Sequence, residues 1–209
     1  NHSFHGLAIS FGEQKPIIGM INDDNSCSRN WGNFSLTKDW ISYYVYGILE
    51  KWSIKRFSAI LVNSLFLKKT LQKDYALNKK VSDKLILFYK AVELEQQAAP
   101  FRQMGNPIRI LFVKRDFVRG GLGILAKALS TLPQFNFELT IIGPEERFYP
   151  VVHSLMGQSP HVKVNLLGYR DAAFVRDAMY THDIFCVPST LEALGVANLE
   201  ALSRGITVI

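Results

Sequence analysis

Two stretches of this chain carry cationic and acidic side chains at spacings suited to a nucleoside diphosphate joined to a polyol. In Lys114-Arg115-Asp116-Phe117-Val118-Arg119-Gly120-Gly121, two arginines stand before a glycine pair. Guanidinium groups stay charged and grip phosphate oxygens bidentately. In Pro188-Ser189-Thr190-Leu191-Glu192-Ala193-Leu194-Gly195, Glu192 precedes a helix expected to start near Gly195 and to carry Glu200. A carboxylate accepts hydrogen bonds from the vicinal hydroxyls of a sugar or ribose. A helix beginning near Gly195 offers unpaired N–H groups and a partial positive charge to an anion. Helical side chains lean toward the N-terminus, so Glu200 can reach back to the same ligand.

Those residues need a frame. In the second half, IRILFVK (108–114), FELTIIG (137–143), VKVNLLG (162–168), DIFCV (183–187) and ITVI (206–209) read as strands. Helical periods lie between them: Leu122, Leu125, Ala126 and Leu129 in one, Ala172, Val175 and Met179 in another. Strands alternating with helices imply a parallel sheet covered on both faces. With strand order 3-2-1-4-5, strands one and four flank the reversal where ligands bind. Arg115, Arg119, Glu192 and the helix start near Gly195 then face one cleft.

The first half repeats the pattern with PIIGM (16–20), SAILVN (58–63) and KLILFYK (84–90) as strands. A helix is expected from about Lys38 to Arg56, capped by Thr37, with Ile41, Val45, Ile48, Leu49 and Trp52 on its buried face. A second helix should follow Ser64. The polar, Pro- and Gly-broken stretch 94–107 reads as a linker between a domain at 1–93 and another at 108–209. The chain starts without Met and stops inside an apparent strand, so we read it as an internal segment with both domains incomplete.

Composition excludes several classes. With 48% hydrophobic and 12% aromatic residues the 209-residue chain can build a sizeable core and is not disordered. No apolar run approaches the roughly 18 residues of a membrane span. Its two cysteines, Cys27 and Cys186, are too few for a disulfide framework and read as unpaired thiols of a cytoplasmic protein. The formal charge is +6, from 24 basic and 18 acidic residues, and nine of the basic ones lie between Lys51 and Lys84. Such a cluster is either a solvated helical surface or a peripheral contact with an anionic membrane. No nucleic-acid motif accompanies it.

The run from Pro188 to Ile209 resembles the "PS..E.fG...lEA.a.G.PVI" block of the family-4 (group 1) glycosyltransferases, with Glu192 and Glu200 as its E-x7-E pair. ILFVKRDFVRGG is similar to the family's "lfvGr…KGg" segment, and SAILVNS to its "d.ii..S" strand. The sequence departs from the pattern at Lys114, where Gly is usual, at Arg119, where Lys is usual, and at Ala193, often Gly. The resemblance implies a GT-B architecture: two Rossmann-like domains facing across a cleft, with acceptor on the first and donor on the second. It implies transfer with retention from a nucleotide-sugar, such as a UDP- or GDP-sugar, to a carbohydrate or lipid-linked acceptor. No metal and no cofactor beyond that donor are expected. By position, Glu192 would hold sugar hydroxyls, Glu200 the ribose, and Arg115 and Arg119 the diphosphate. Gly120, Ala193, Leu194, Gly195 and Val196 would line the donor site, and His2 would contact the transferred sugar. The segment alone is expected to be inactive.

Two other classes compete. A dinucleotide-dependent oxidoreductase should show G-x-G-x-x-G after the first strand, which Gly120-Gly121-Leu122-Gly123 does not match. A non-catalytic sugar- or nucleotide-binding relative, or a scaffold at a membrane surface, keeps the same grammar without turnover.

Overall fold

The computed structural model describes residues 16–22, 39–94, 103–157, 159–189 and 192–209. The chain folds as two compact α/β units, Asn1–Ala91 and Val92–Ile209. Thr37, His2 and Cys27, and positions 95–102 of the expected linker, lie outside the described residues.

In the first unit, β1 (Ile18–Ile21), β2 (Ala59–Val62) and β3 (Leu85–Leu87) form a parallel sheet in the order β1-β2-β3. α1 (Asp39–Arg56) leads into β2, and α2 (Leu65–Asp74) follows it, with the Ser64 hydroxyl accepting from the Leu67 N–H as its cap. A short helix, α3 (Lys79–Ser82), is capped by Asn78 and precedes β3.

The buried face of α1 differs from the one expected. Val45, Ile48 and Trp52 are exposed, and Ile41's side chain is outside the described residues. The helix instead buries Gly47, Glu50, Ser53 and Ile54. A carboxylate is tolerated there because it is hydrogen-bonded: the Tyr75 hydroxyl donates to Glu50 Oε2. The Ser53 hydroxyl donates to the Leu49 carbonyl at 2.8 Å. Hydrophobic periodicity misplaces a face whose burial rests on a satisfied polar pair.

The second unit holds β4 (Ile108–Val113), β5 (Phe137–Ile142), β6 (Val162–Gly168), β7 (Ile184–Phe185) and β8 (Thr207–Val208), all parallel, ordered β6-β5-β4-β7-β8. That is the 3-2-1-4-5 order, with the reversal between β4 and β7. The crossovers are α4 (Leu122–Ser130), α5 (Tyr149–Met156), α6 (Ala172–Thr181) and α7 (Val196–Ser203). Leu122, Leu125, Ala126 and Leu129 of α4 join the core around Leu111, Phe112, Leu139 and Phe185. On α6 the buried pair is Ala178 and Met179, while Ala172 is exposed because it sits in the first turn after the Asp171 cap.

A polar clamp fixes the starts of the two strands that flank the reversal. Asp183, 4% exposed, accepts the Arg109 N–H at 2.8 Å and the Arg109 guanidinium at 3.1 Å. The Asp183 N–H in turn donates to the Arg109 carbonyl at 2.8 Å. Burial by itself pushes the Asp183 carboxyl up, but the Arg109 hydrogen bonds and charge outweigh it and hold it below its ordinary range. A depressed folded value stabilises the fold in full above the unfolded carboxyl's pKa of about 4, and this contribution disappears as pH falls through the folded value. In urea unfolding, Asp183→Asn should cost about 1–3 kcal/mol at pH 7 and flatten the loss of stability on acidification below pH ~4. An unaltered acid slope would remove Asp183 as its source.

Candidate functional site

The site is built where β4 and β7 release the chain. Behind β4 the loop turns back on itself: Asp116 Oδ1 accepts the Arg119 N–H at 3.0 Å, and the Gly120 N–H donates to the Asp116 carbonyl at 2.9 Å. Phe117, 5% exposed, pins the loop into the core edge-to-face with Phe148. The apolar pin leaves the charged residues on either side at the surface.

Glycines let this loop touch its neighbours. Gly121 has φ +76, and a Cβ there would lie 2.1 Å from the Pro188 carbonyl oxygen behind β7. Gly143, behind β5, has φ +122, and a Cβ would meet the Lys114 carbonyl carbon at 2.6 Å. Three strand ends therefore converge on the segment Lys114–Gly121. A Cβ on Gly120 would come 2.9 Å from Lys114 Cγ, so that glycine makes room for the lysine stem.

Consecutive residues of an extended chain project to opposite sides, and here Lys114 and Arg115 part. Lys114 Nζ donates to Glu192 Oε2 at 2.5 Å, joining the β4 end to the β7 loop. Arg115 turns to the β5 loop and pairs with Glu145 at 2.7 Å, which Arg147 also holds at 2.9 Å. The hydrogen bond from Arg115, followed by the charge of Arg147, holds the Glu145 carboxyl below its usual range, and the same bond raises Arg115. The Arg115 side chain is 80% exposed, and so open an ion pair is readily exchanged for another anion.

Lys114 and Glu192 line a cavity of about 290 Å³ with Val187, Ser189, Leu194, Gly195, Val196 and Asn198 among its walls. Ser189 Oγ is buried and has no hydrogen-bond partner among the described residues. Helices α2, α3 and α6 close their first turns with the side chains of Ser64, Asn78 and Asp171. Helices α4 and α7, at the reversal, follow Gly121 and Gly195 and have no side-chain cap; the N–H groups of Leu122 and Ile124 donate to the Phe117 and Gly121 carbonyls, and those of Val196 and Asn198 to the Leu194 and Gly195 carbonyls.

Of the residues singled out in the sequence, Glu192, Leu194, Gly195 and Val196 line this cavity, while Arg115, Arg119, Gly120, Ala193 and Glu200 do not. Glu200 is half-buried one turn into α7, its carbonyl accepting from Arg204 at 2.6 Å. Sequence reasoning missed Lys114 and Glu145 as members of the site. In the first unit, Asn22 and Asn63 lie at the carboxyl ends of β1 and β2. Asn63 is 2% exposed and donates through Nδ2 to the Asn22 carbonyl at 2.7 Å. Among the described residues neither Oδ1 atom of this pair has a hydrogen-bond partner. Cys186, at the β7 end, is a free buried thiol pushed up by its burial. No group of three or more His, Cys, Asp or Glu side chains that could hold a metal occurs among the described residues.

The family profile of the glycosyl transferases group 1 matches residues 93–209. No curated protein matches the chain in sequence. Among solved structures, sucrose-phosphate synthase from Thermosynechococcus elongatus is similar with a TM-score of 0.73 at 16% identity, over 97% of this chain and 52% of that one. A mutant of S. aureus TarM in complex with Fondaparinux, alpha-GlcNAc-glycerol and UDP gives 0.66 at 12% identity, over 98% of this chain and 39% of that one. The trehalose-6-phosphate synthase OtsA gives 0.64 at 13% identity, over 96% and 52%. These likenesses show a GT-B-like fold, and this chain spans about half or less of each.

Gly121→Ala should destabilise the protein by about 2 kcal/mol or more, because the left-handed backbone and the Pro188 carbonyl both oppose a Cβ. Gly123→Ala should stabilise it by about 0.5–1 kcal/mol, since that helical position meets only Leu155 at 3.8 Å. Thermal melts of the two variants check the opposite signs.

Proposed function

The chain belongs to the group 1 glycosyl transferases, and on that premise we propose that the protein transfers a sugar from a nucleotide-sugar to a glycan, lipid or other acceptor with retention of configuration. The observation that carries this reading is the strand reversal between β4 and β7. There the start of α7, which has no side-chain cap, the Ser189 hydroxyl, without a partner among the described residues, and the Lys114–Glu192 pair line one cavity.

In this reading the diphosphate is met by Arg115, released from Glu145, by Arg119 and by the partial positive charge at the start of α7. Main-chain groups of Gly120, Ala193, Leu194, Gly195 and Val196 line the donor. Glu192 receives sugar hydroxyls, Glu200 the ribose, and His2 contacts the transferred sugar. No metal is required, because fixed cations and N–H dipoles already oppose the charge that grows on the leaving diphosphate. The bond from C1 to the phosphate oxygen breaks, and the acceptor oxygen bonds C1 on the same face. The acceptor's proton passes to the departing phosphate oxygen, so no protein nucleophile is needed. The first unit is assigned the acceptor, and the Oδ1 atoms of Asn22 and Asn63, without partners among the described residues, support that role as receivers of acceptor hydroxyls.

One observation favours a peripheral contact with anionic membrane. On α2, the exposed Leu65 and Phe66 share a face with exposed Lys69 and Lys73, the pattern of an interfacial helix. No helix among the described residues is long and apolar enough to cross a membrane. The buried free thiol of Cys186 fits the cytoplasmic placement read from the sequence.

Calorimetric titration of the full-length protein with UDP, GDP and ADP and their sugars tests the reading. One of these series should bind, and Arg115→Ala should lower kcat/KM about 10²-fold. An unchanged kcat/KM would refute the assignment of Arg115. Binding to anionic vesicles without affinity for any nucleotide would identify a membrane scaffold instead.

A further inference from the structure

We infer that Lys114 is a specificity-determining residue of the donor site: paired with Glu192, it turns a subsite for two hydroxyl donors into one that reads a vicinal diol with opposite roles, one hydroxyl donating and its neighbour accepting. This rests on the donor-site reading given above.

A lone carboxylate offers both oxygens to ligand hydroxyls. Here Glu192 Oε2 accepts from the Lys114 ammonium at 2.5 Å, which leaves Oε1 as the oxygen with both of its acceptor sites open to a ligand. An ammonium has three donors, and the ion pair uses one of them. Both groups belong to the cavity wall and neither is buried, with side chains 30% and 34% exposed, so a ligand can reach each. The cavity thus presents, side by side, an acceptor at Glu192 Oε1 and a donor at Lys114 Nζ.

The pairing has a structural support. The lysine stem crosses Gly120, where a Cβ would stand 2.9 Å from Lys114 Cγ, and the strand end is fixed by the close approach of Gly143 to the Lys114 carbonyl. The backbone thereby directs the ammonium toward the β7 loop, whereas Arg115 is drawn to Glu145. The pair is also electrically neutral. A uronate or phosphate substituent on the sugar would gain Lys114 only by competing with Glu192, so the ligand chemistry that fits is an uncharged sugar with adjacent free hydroxyls.

The test uses the full-length protein, the nucleotide-sugar it binds, the matching nucleoside diphosphate, and monodeoxy analogues of that donor. Lys114→Met keeps the stem and removes the charge. It should weaken nucleotide-sugar binding about tenfold or more while leaving the nucleoside diphosphate within about twofold, at an unchanged melting temperature. Glu192→Gln should behave likewise. In the monodeoxy series, one analogue should lose its sensitivity to Lys114→Met and another to Glu192→Gln, and the two missing hydroxyls should be neighbours on the ring. Equal weakening of nucleotide-sugar and nucleoside diphosphate would overturn the inference by making Lys114 a phosphate ligand. Unchanged binding in Lys114→Met, or sensitive hydroxyls that are not adjacent, would overturn it too. If the wild type binds no nucleotide of any kind, the donor-site reading fails and this inference falls with it. Nucleotide-sugar binding that is indifferent to Lys114 sinks the inference alone.

Discussion

The contact of Gly121 with the Pro188 carbonyl sets the spacing of everything at the strand reversal. A Cβ at that position would stand 2.1 Å from the oxygen, and the backbone there is left-handed. The β4 loop can lie against the β7 loop only while that residue has no side chain. Because the two loops touch, the ammonium of Lys114 reaches the carboxylate of Glu192, and two helices open side by side. Gly143 repeats the device on the other flank, where the β5 loop approaches Lys114 and brings Glu145 within reach of Arg115.

These contacts explain how the site stays both shaped and open. Its backbone is held by close packing, by the Phe117 anchor and by the Asp183–Arg109 clamp below the strands. Its charges are held only by exposed ion pairs, which solvent screens and a polyanion can displace. Arg115 and Arg147 together place two guanidiniums on the single carboxylate of Glu145. The β7 flank differs: Lys114 and Glu192 neutralise one another and leave hydrogen-bonding capacity rather than charge.

The first unit follows another logic. Its α1 helix turns Val45, Ile48 and Trp52 outward and packs Glu50 and Ser53 inward. The inward carboxylate is satisfied by Tyr75, a residue 25 positions later in the chain. At the carboxyl ends of β1 and β2, Asn22 and Asn63 keep buried acceptor atoms without partners among the described residues. Such atoms cost stability unless something donates to them.

The sequence by itself determined the alternation of strands and helices, the strand positions to within three residues, the α4 core positions and the stretches that carry the chemistry. Local pattern suffices for these, since apolar periodicity and glycine or proline punctuation act over a few residues. It also placed Arg115 and Glu192 on loops behind the right strands. Only the tertiary structure decided which loop residues meet. Lys114, which a motif comparison marks as a departure, pairs with Glu192, while Arg115 leaves for Glu145, because consecutive side chains diverge and each takes the opposite charge that the sheet order sets beside it. The buried face of α1 was likewise hidden, since a carboxylate becomes a core residue only when a distant hydroxyl satisfies it. Partners far apart in the chain leave no local trace, and their meeting is fixed by the order of strands and by the few places where a missing Cβ lets two loops touch.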